Sequence, residues 1–175
     1  MIDSKFSVAS PFILLDIGGA TTDIHYSKDL VDDNIVTENE YDRLVFKRLG
    51  VYKSRQSLIL AAQSNEFVYE LLTYLKVTEN IFHEQSEKAV KVLMQLAIFL
   101  VLCKMSHYGK TYVNLKLLAI NSIVLTGGIT KVLTVAEIET IIAFFYKKTL
   151  TSNHKPVTVL DSNYDIWTLG ARENQ

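Results

Sequence analysis

The sequence has one cysteine, two prolines and one tryptophan in 175 residues, and it lacks any block of basic side chains. A single thiol, Cys103, rules out an internal disulfide and a multi-cysteine zinc site, and this usage points to a reducing, cytoplasmic compartment. Eighteen Lys and Arg against nineteen Asp and Glu leave a net charge of -1. Nothing here neutralises a run of phosphates, so nucleic-acid binding is not expected. No Gly/Ser-rich or charged linker, repeat or low-complexity tract interrupts the chain, and residues 1–175 read as a single domain. The first ten residues, MIDSKFSVAS, lack the apolar stretch of a signal peptide. The longest apolar run, VLMQLAIFLVLCKM at 92–105, falls short of a ~30 Å hydrocarbon core at ~1.5 Å per residue and is broken by Gln95. It reads as a core helix holding Cys103 as a buried, inert thiol, with no membrane partner.

What is present is ordinary globular material, 49% hydrophobic and 21% charged, in a chain long enough to bury roughly 70% of its unfolded surface. FILLDI (12–17) and DIHYS (23–27) pair as a hairpin, and NIVTE (34–38) is a weaker third strand. Helices are expected over about 55–76 and 83–108, the second apolar on most of its circumference. SIVLTGG (122–128) is a buried strand running into a glycine pair. Thr134 and Glu137 spell a capping box that opens a helix to about 148. VTVLD (157–161) is a last strand, and Ser162 and Asp165 can cap a final helix carrying Trp167 and Gly170. The pattern is α/β, a mixed sheet covered by helices.

Chemistry concentrates in one octet, DIGGATTD at 16–23. Glycine permits a close approach to the main chain, so a strand, Gly-Gly-x-Thr-Thr turn can aim several N–H groups and two hydroxyls into one small space, as phosphate oxygens require. Asp16, at the strand end, would repel such an anion unless a cation lay between them, and magnesium held partly through water resolves the conflict. Asp23, across the turn, can hold metal-bound water or lock the hairpin through main-chain hydrogen bonds. The plain alternative is a glycine-rich turn whose Thr and Asp side chains satisfy local N–H groups. Elsewhere the signals are structural. His25, His83, His107 and His154 have no metal-ligand spacing, and of the seventeen Tyr and Phe those in EFVYELLTYL (66–75) and AFFYKK (143–148) fall at helical spacing that core packing explains.

LLDIGGATTDIHYS (14–27) resembles the second phosphate motif of the actin-like ATPase superfamily, most closely that of the MutL family associated with the adenosylcobalamin-dependent glutamate mutase. VLTGGITKVL (124–133) is similar to the superfamily's adenosine motif. LGV (49–51) and LDSNYDIWTLGA (160–171) resemble further MutL segments, so the likeness runs through nearly the whole chain in order.

The resemblance implies a ribonuclease H-like lobe that binds ATP or ADP. Asp16 would support Mg²⁺, Gly18, Gly19, Thr21 and Thr22 would contact the β- and γ-phosphates, and Gly127 and Gly128 would let adenosine lie against the main chain. It also implies an acidic residue before the Leu49-Gly50 pair and an arginine after it, whereas here Arg48 precedes and Tyr52 follows. Only one D-x-G-G occurs, so the chain reads as the second lobe of a two-lobed ATPase. It is then expected to be inactive in hydrolysis unless paired with a first lobe, with a cobalamin-dependent mutase as partner. A small-molecule kinase of the same superfamily and a non-catalytic binding or scaffold lobe are the alternatives.

Overall fold

The chain, in a computed structural model, is described over residues 8–18, 22–27, 30, 41–46, 55–108 and 116–161. Five strands form one sheet: β1 Phe12–Ile17, β2 Thr22–Ser27, β3 Tyr41–Phe46, β4 Ser122–Thr126 and β5 Val157–Asp161. Their order is β3-β2-β1-β4-β5. β1, β2 and β3 pair antiparallel, while β4 and β5 run parallel to β1. The expected hairpin is present, opening at Thr22. The third strand lies at 41–46, and the 34–38 segment is outside the described residues, as are the final helix at 162–170 and the 47–54 stretch.

Side-chain alternation divides the sheet into two faces. Ile13, Leu15, Ile17, Ile24, Tyr26, Ile123 and Leu125 are all buried in the main core, under helices α1 Arg55–Gln63, α2 Val68–Tyr74, α3 Glu87–Tyr108 and α4 Val135–Thr149. Phe12, Leu14 and Val124 form a smaller buried cluster on the other face, with Val8 and Val159 half-buried against it. Both central parallel strands are thus covered on both sides, which explains why SIVLT and FILLDI read as nearly unbroken apolar runs. The exception in β1 is Asp16, which is only half-buried.

The helices differ from the sequence expectation in two places. The helix expected over 55–76 is split, because Asn65 Oδ1 accepts the Phe67 N–H at 2.9 Å and the Ser64 hydroxyl donates to the Leu60 carbonyl at 2.9 Å. Both side chains offer the backbone an alternative to helical pairing, and the chain turns between α1 and α2. The second difference concerns length. α3 has 22 residues, and its stretch Glu87–Ser106, which holds an 18-residue window of mean hydropathy 1.8, is by length and composition enough to cross a bilayer. The apolar run at 92–105 is thus the middle of a longer helix, and length does not keep it out of a bilayer. What marks α3 as a core helix is that 78% of that window is buried inside the protein, where Phe99 meets Phe144 and Phe145 of α4 edge-on, with ring centroids 5.7 and 6.2 Å apart. Gln95, buried amid this apolar surface, donates its amide to the Glu137 carbonyl at 3.2 Å, which satisfies one donor and ties α3 to the first turn of α4.

That first turn is the predicted capping box. Thr134 Oγ1 accepts the Glu137 N–H at 3.2 Å, and Glu137 Oε1 accepts the Thr134 N–H at 3.0 Å. The Thr134 N–H, reinforced by the Lys91 ammonium at 3.5 Å, holds the Glu137 carboxyl below its ordinary value. A depressed carboxylate stabilises the fold fully above its unfolded value near pH ~4.3 and loses that contribution as pH falls through the folded value. Glu137→Gln should therefore be less stable than the native chain at pH 7, with the difference shrinking below about pH 4.5. Denaturant titrations at several pH values measure this, and Thr134→Ala should cost about 1 kcal/mol.

Candidate functional site

Parallel pairing of β1, β4 and β5 brings their carboxyl ends to one edge of the sheet. In open α/β sheets this edge is where ligands bind, since the strand-to-helix turns expose main-chain groups there. Residues paired in register share a face. Asp16 stands opposite Asp23 on one side and Thr126 on the other, and Thr126 stands opposite Asp161. Three carboxylates and a hydroxyl therefore form one transverse row across four strands at the edge. Asp16 and Asp23 are half-buried, whereas Thr126 and Asp161 are buried. Like charges directly opposite each other are unfavourable, so the Asp16–Asp23 pair favours a cation or hydrogen-bond donors at its open side.

A glycine follows each of two strands at this edge, Gly18 after β1 and Gly127 after β4. Gly18 is half-buried, and Gly19 and Thr21 lie outside the described residues. Thr22 is buried and registers with Ile17, which puts its side chain on the helix-covered face, opposite to Asp16 and Asp23. The β4 turn is ordered by Thr130, whose N–H and hydroxyl both donate to the Gly127 carbonyl, at 3.2 and 2.8 Å.

The adjacent glycines of that turn have different surroundings. Gly127 is buried with φ +90° and ψ -167°, a combination that side-chain-bearing residues rarely adopt. A Cβ on it would lie 2.6 Å from Asp16 Oδ1 and 3.0 Å from the Ile17 carbonyl oxygen. Gly128 is exposed, and a Cβ there meets nothing within 4 Å. The DIGGATTD and LTGG motifs, more than 100 residues apart, thus touch at the Asp16 carboxylate.

Among the described residues no group of three or more His, Cys, Asp or Glu is placed to hold a metal ion. His154 is engaged elsewhere, its Nε2 2.6 Å from the Ile120 carbonyl oxygen. Cys103 is buried, and burial pushes its thiol up to about 11, which keeps it protonated and unreactive.

Sequence pattern alone does not single out Asp161, although VTVLD ends much as FILLDI does, with Leu-Asp or Leu-Asp-Ile closing an apolar run. Its main-chain carbonyl accepts the buried Thr126 hydroxyl at 2.9 Å, pinning the ends of β4 and β5 together. Thr126→Val, which keeps the shape and deletes the donor, should cost about 1 kcal/mol. Amide exchange should quicken at the carboxyl end of the β4–β5 ladder, and native-state hydrogen exchange measures it.

No curated protein sequence matches the chain significantly. Among solved structures, one similar chain is the activator of the 2-hydroxyisocaproyl-CoA dehydratase from Clostridium difficile with bound ADPNP, at 10% identity and a TM-score of 0.36. The likeness covers 95% of the present chain and 63% of the length of that one. The family model described as MutL protein matches residues 4–172. With nearly the full length matched, the chain belongs to the MutL family.

Proposed function

We propose that the chain is the nucleotide-binding second lobe of an actin-like ATPase of MutL type, with ATP or ADP held at the carboxyl edge of the sheet. The single observation that carries this reading is the seating of the Asp16 carboxylate, near the end of β1, against Gly127 in the turn that follows the adjacent parallel strand β4. In this reading Gly18, Gly19 and Thr21 face the β- and γ-phosphates. Thr22, with its buried side chain, shapes the base of the hairpin. Gly127 and Gly128 form the adenosine side, where Gly128 borders open space.

Magnesium ordinarily takes one or two protein carboxylates and fills its octahedron with water and phosphate oxygens. The Asp16–Asp23 pair suits that donor set, with Asp16 supporting the ion and Asp23 the metal-bound water. When bound, the ion would neutralise phosphate charge beside an otherwise acidic edge. Without it, phosphates would approach the row of Asp23, Asp16 and Asp161 against repulsion.

A nucleotide held by one lobe has half of its cage. Positioning between donors is the larger share of phosphoryl-transfer catalysis, so the reading requires a first lobe with its own phosphate hairpin for hydrolysis. The two-lobed enzyme is proposed to service an adenosylcobalamin-dependent mutase in the cytoplasm, through lobe closure coupled to hydrolysis. A non-catalytic binding lobe is the second reading, favoured by one feature: Arg48 and Tyr52 stand around Leu49-Gly50 where MutL-like sequences carry an acidic residue and an arginine. A small-molecule kinase is less favoured, since the sequence pattern names no substrate-activating base outside the hairpin.

Calorimetry on the purified 175-residue chain tests the reading. Mg-ADP should bind at about -4 to -6 kcal/mol, and chelation of Mg²⁺ should weaken binding about tenfold or more. Asp16→Ala should bind alike with and without Mg²⁺, while Lys155→Ala, an exposed residue ahead of β5 at the opposite end of the strands, should match the native chain. No steady ATP hydrolysis is expected. Equal binding by native chain and Asp16→Ala in Mg²⁺, or no binding by either, would refute the site.

A further inference from the structure

Gly127 and Gly128 enter the proposed site together as an adenosine-facing pair, yet their surroundings assign them separate tasks. Gly128 meets open space and is exposed, as a ligand-facing position would be. Gly127 is buried, and what occupies the place of its side chain is the chain's own Asp16 carboxylate, with Oδ1 2.6 Å from where a Cβ would stand. That distance is shorter than any real Cβ tolerates, so the carboxylate can hold its direction only because position 127 has no side chain.

Three features fix the seat. The β1–β4 register places Asp16 beside Thr126, one residue before Gly127. The left-handed φ of +90° at Gly127 folds the turn back over the end of β1, where the Ile17 carbonyl oxygen lies 3.0 Å from the same Cβ position. Thr130 clamps the Gly127 carbonyl from the far side with two donors, so the turn is not free to back away.

We infer that Gly127 is a positioning residue: its bare α-carbon is the seat that aims the Asp16 carboxylate, so the turn following β4 sets the direction of the group ending β1. This rests on the reading of Asp16 as the Mg²⁺-supporting carboxylate, and it deepens that reading. One piece of backbone then serves both ends of the nucleotide. Gly128 borders the space for adenosine, and Gly127, next to it, holds the carboxylate that faces the metal and phosphates. A side chain at 127 would act on the Mg²⁺ dependence of binding, whereas a side chain at 128 would act on the nucleoside itself.

A double-mutant cycle of Asp16→Ala and Gly127→Ala tests this with two readouts. The first is thermal stability without ligand. Gly127→Ala should destabilise the native chain, and a measurable part of the loss should vanish in the Asp16→Ala background, where the 2.6 Å contact is gone and the backbone strain and Ile17 contact remain. The second is the ratio of ADP affinities with and without Mg²⁺. Gly127→Ala should lower it to about that of Asp16→Ala, and Gly128→Ala should weaken ADP binding while keeping the ratio.

Equal stability losses from Gly127→Ala in both backgrounds would overturn the assignment, because strain alone would then explain the glycine. Retention of the full Mg²⁺ ratio by Gly127→Ala would overturn it as well. If no chain binds nucleotide but the stability losses are coupled, the seat stands and the nucleotide reading falls. Should Gly127→Ala fail to fold alone, folding of the double variant supports the seat, and failure of both to fold refutes it.

Discussion

The pairing of β1 with β4 is the contact on which the rest depends. It joins strands more than 100 residues apart in parallel register, Phe12 against Ser122 through Asp16 against Thr126. That register brings Gly18 and Gly127 to the same edge and puts the Asp16 carboxylate beside the α-carbon of Gly127. A shift of one residue would send Asp16 into the helix-covered core and Ile17 to the other face, because side chains alternate. The apolar burial of Ile13, Leu15, Ile123 and Leu125 on one face makes such a slip costly. Packing in the core thereby sets geometry at the edge.

Helices α3 and α4 supply that packing. The apolar circumference of α3 is explained by its place within the main core, where its residues meet the other helices as well as the sheet's inner face. Its polar residue Gln95 is not a flaw in the apolar run but a link to the start of α4, the helix that carries the chain from β4 to β5. α4 begins at a reciprocal cap a few residues beyond the Gly128–Lys131 turn. The chain leaving the β4 edge is therefore fixed at both ends, by the Thr130 clamp on Gly127 and by the Thr134–Glu137 box.

Electrostatics at the edge runs opposite to what a bare phosphate site would want. Asp16, Asp23 and Asp161 share a row, and a phosphate binder built from main-chain N–H groups alone would have no use for them. A site for a metal-nucleotide complex does, since the cation is attracted by the carboxylates and the phosphates by the cation. The two outer carboxylates differ in exposure: Asp23 is half-buried, while buried Asp161 pairs in register with Thr126 and belongs to the strand junction.

Local chemistry made some of this legible from sequence. The β1–β2 hairpin follows from an apolar run ending in glycines, the cap of α4 from T-x-x-E, and β4 and β5 from short β-branched runs. DIGGATTD named Asp16 as the centre of interest through its residue types alone. Whatever rests on long-range pairing required the tertiary structure. The split between α1 and α2 depends on Asn65 and Ser64 finding backbone partners, and the burial of α3 depends on neighbours that composition does not reveal. Thr21 and Thr22 look equivalent as hydroxyl donors in sequence, but the β1–β2 register commits Thr22 to the core face. Gly127 and Gly128 are likewise identical as letters. Only the parallel pairing of β1 with β4 decides that one is filled by a carboxylate and the other faces open space, because register between distant strands is set by the whole core.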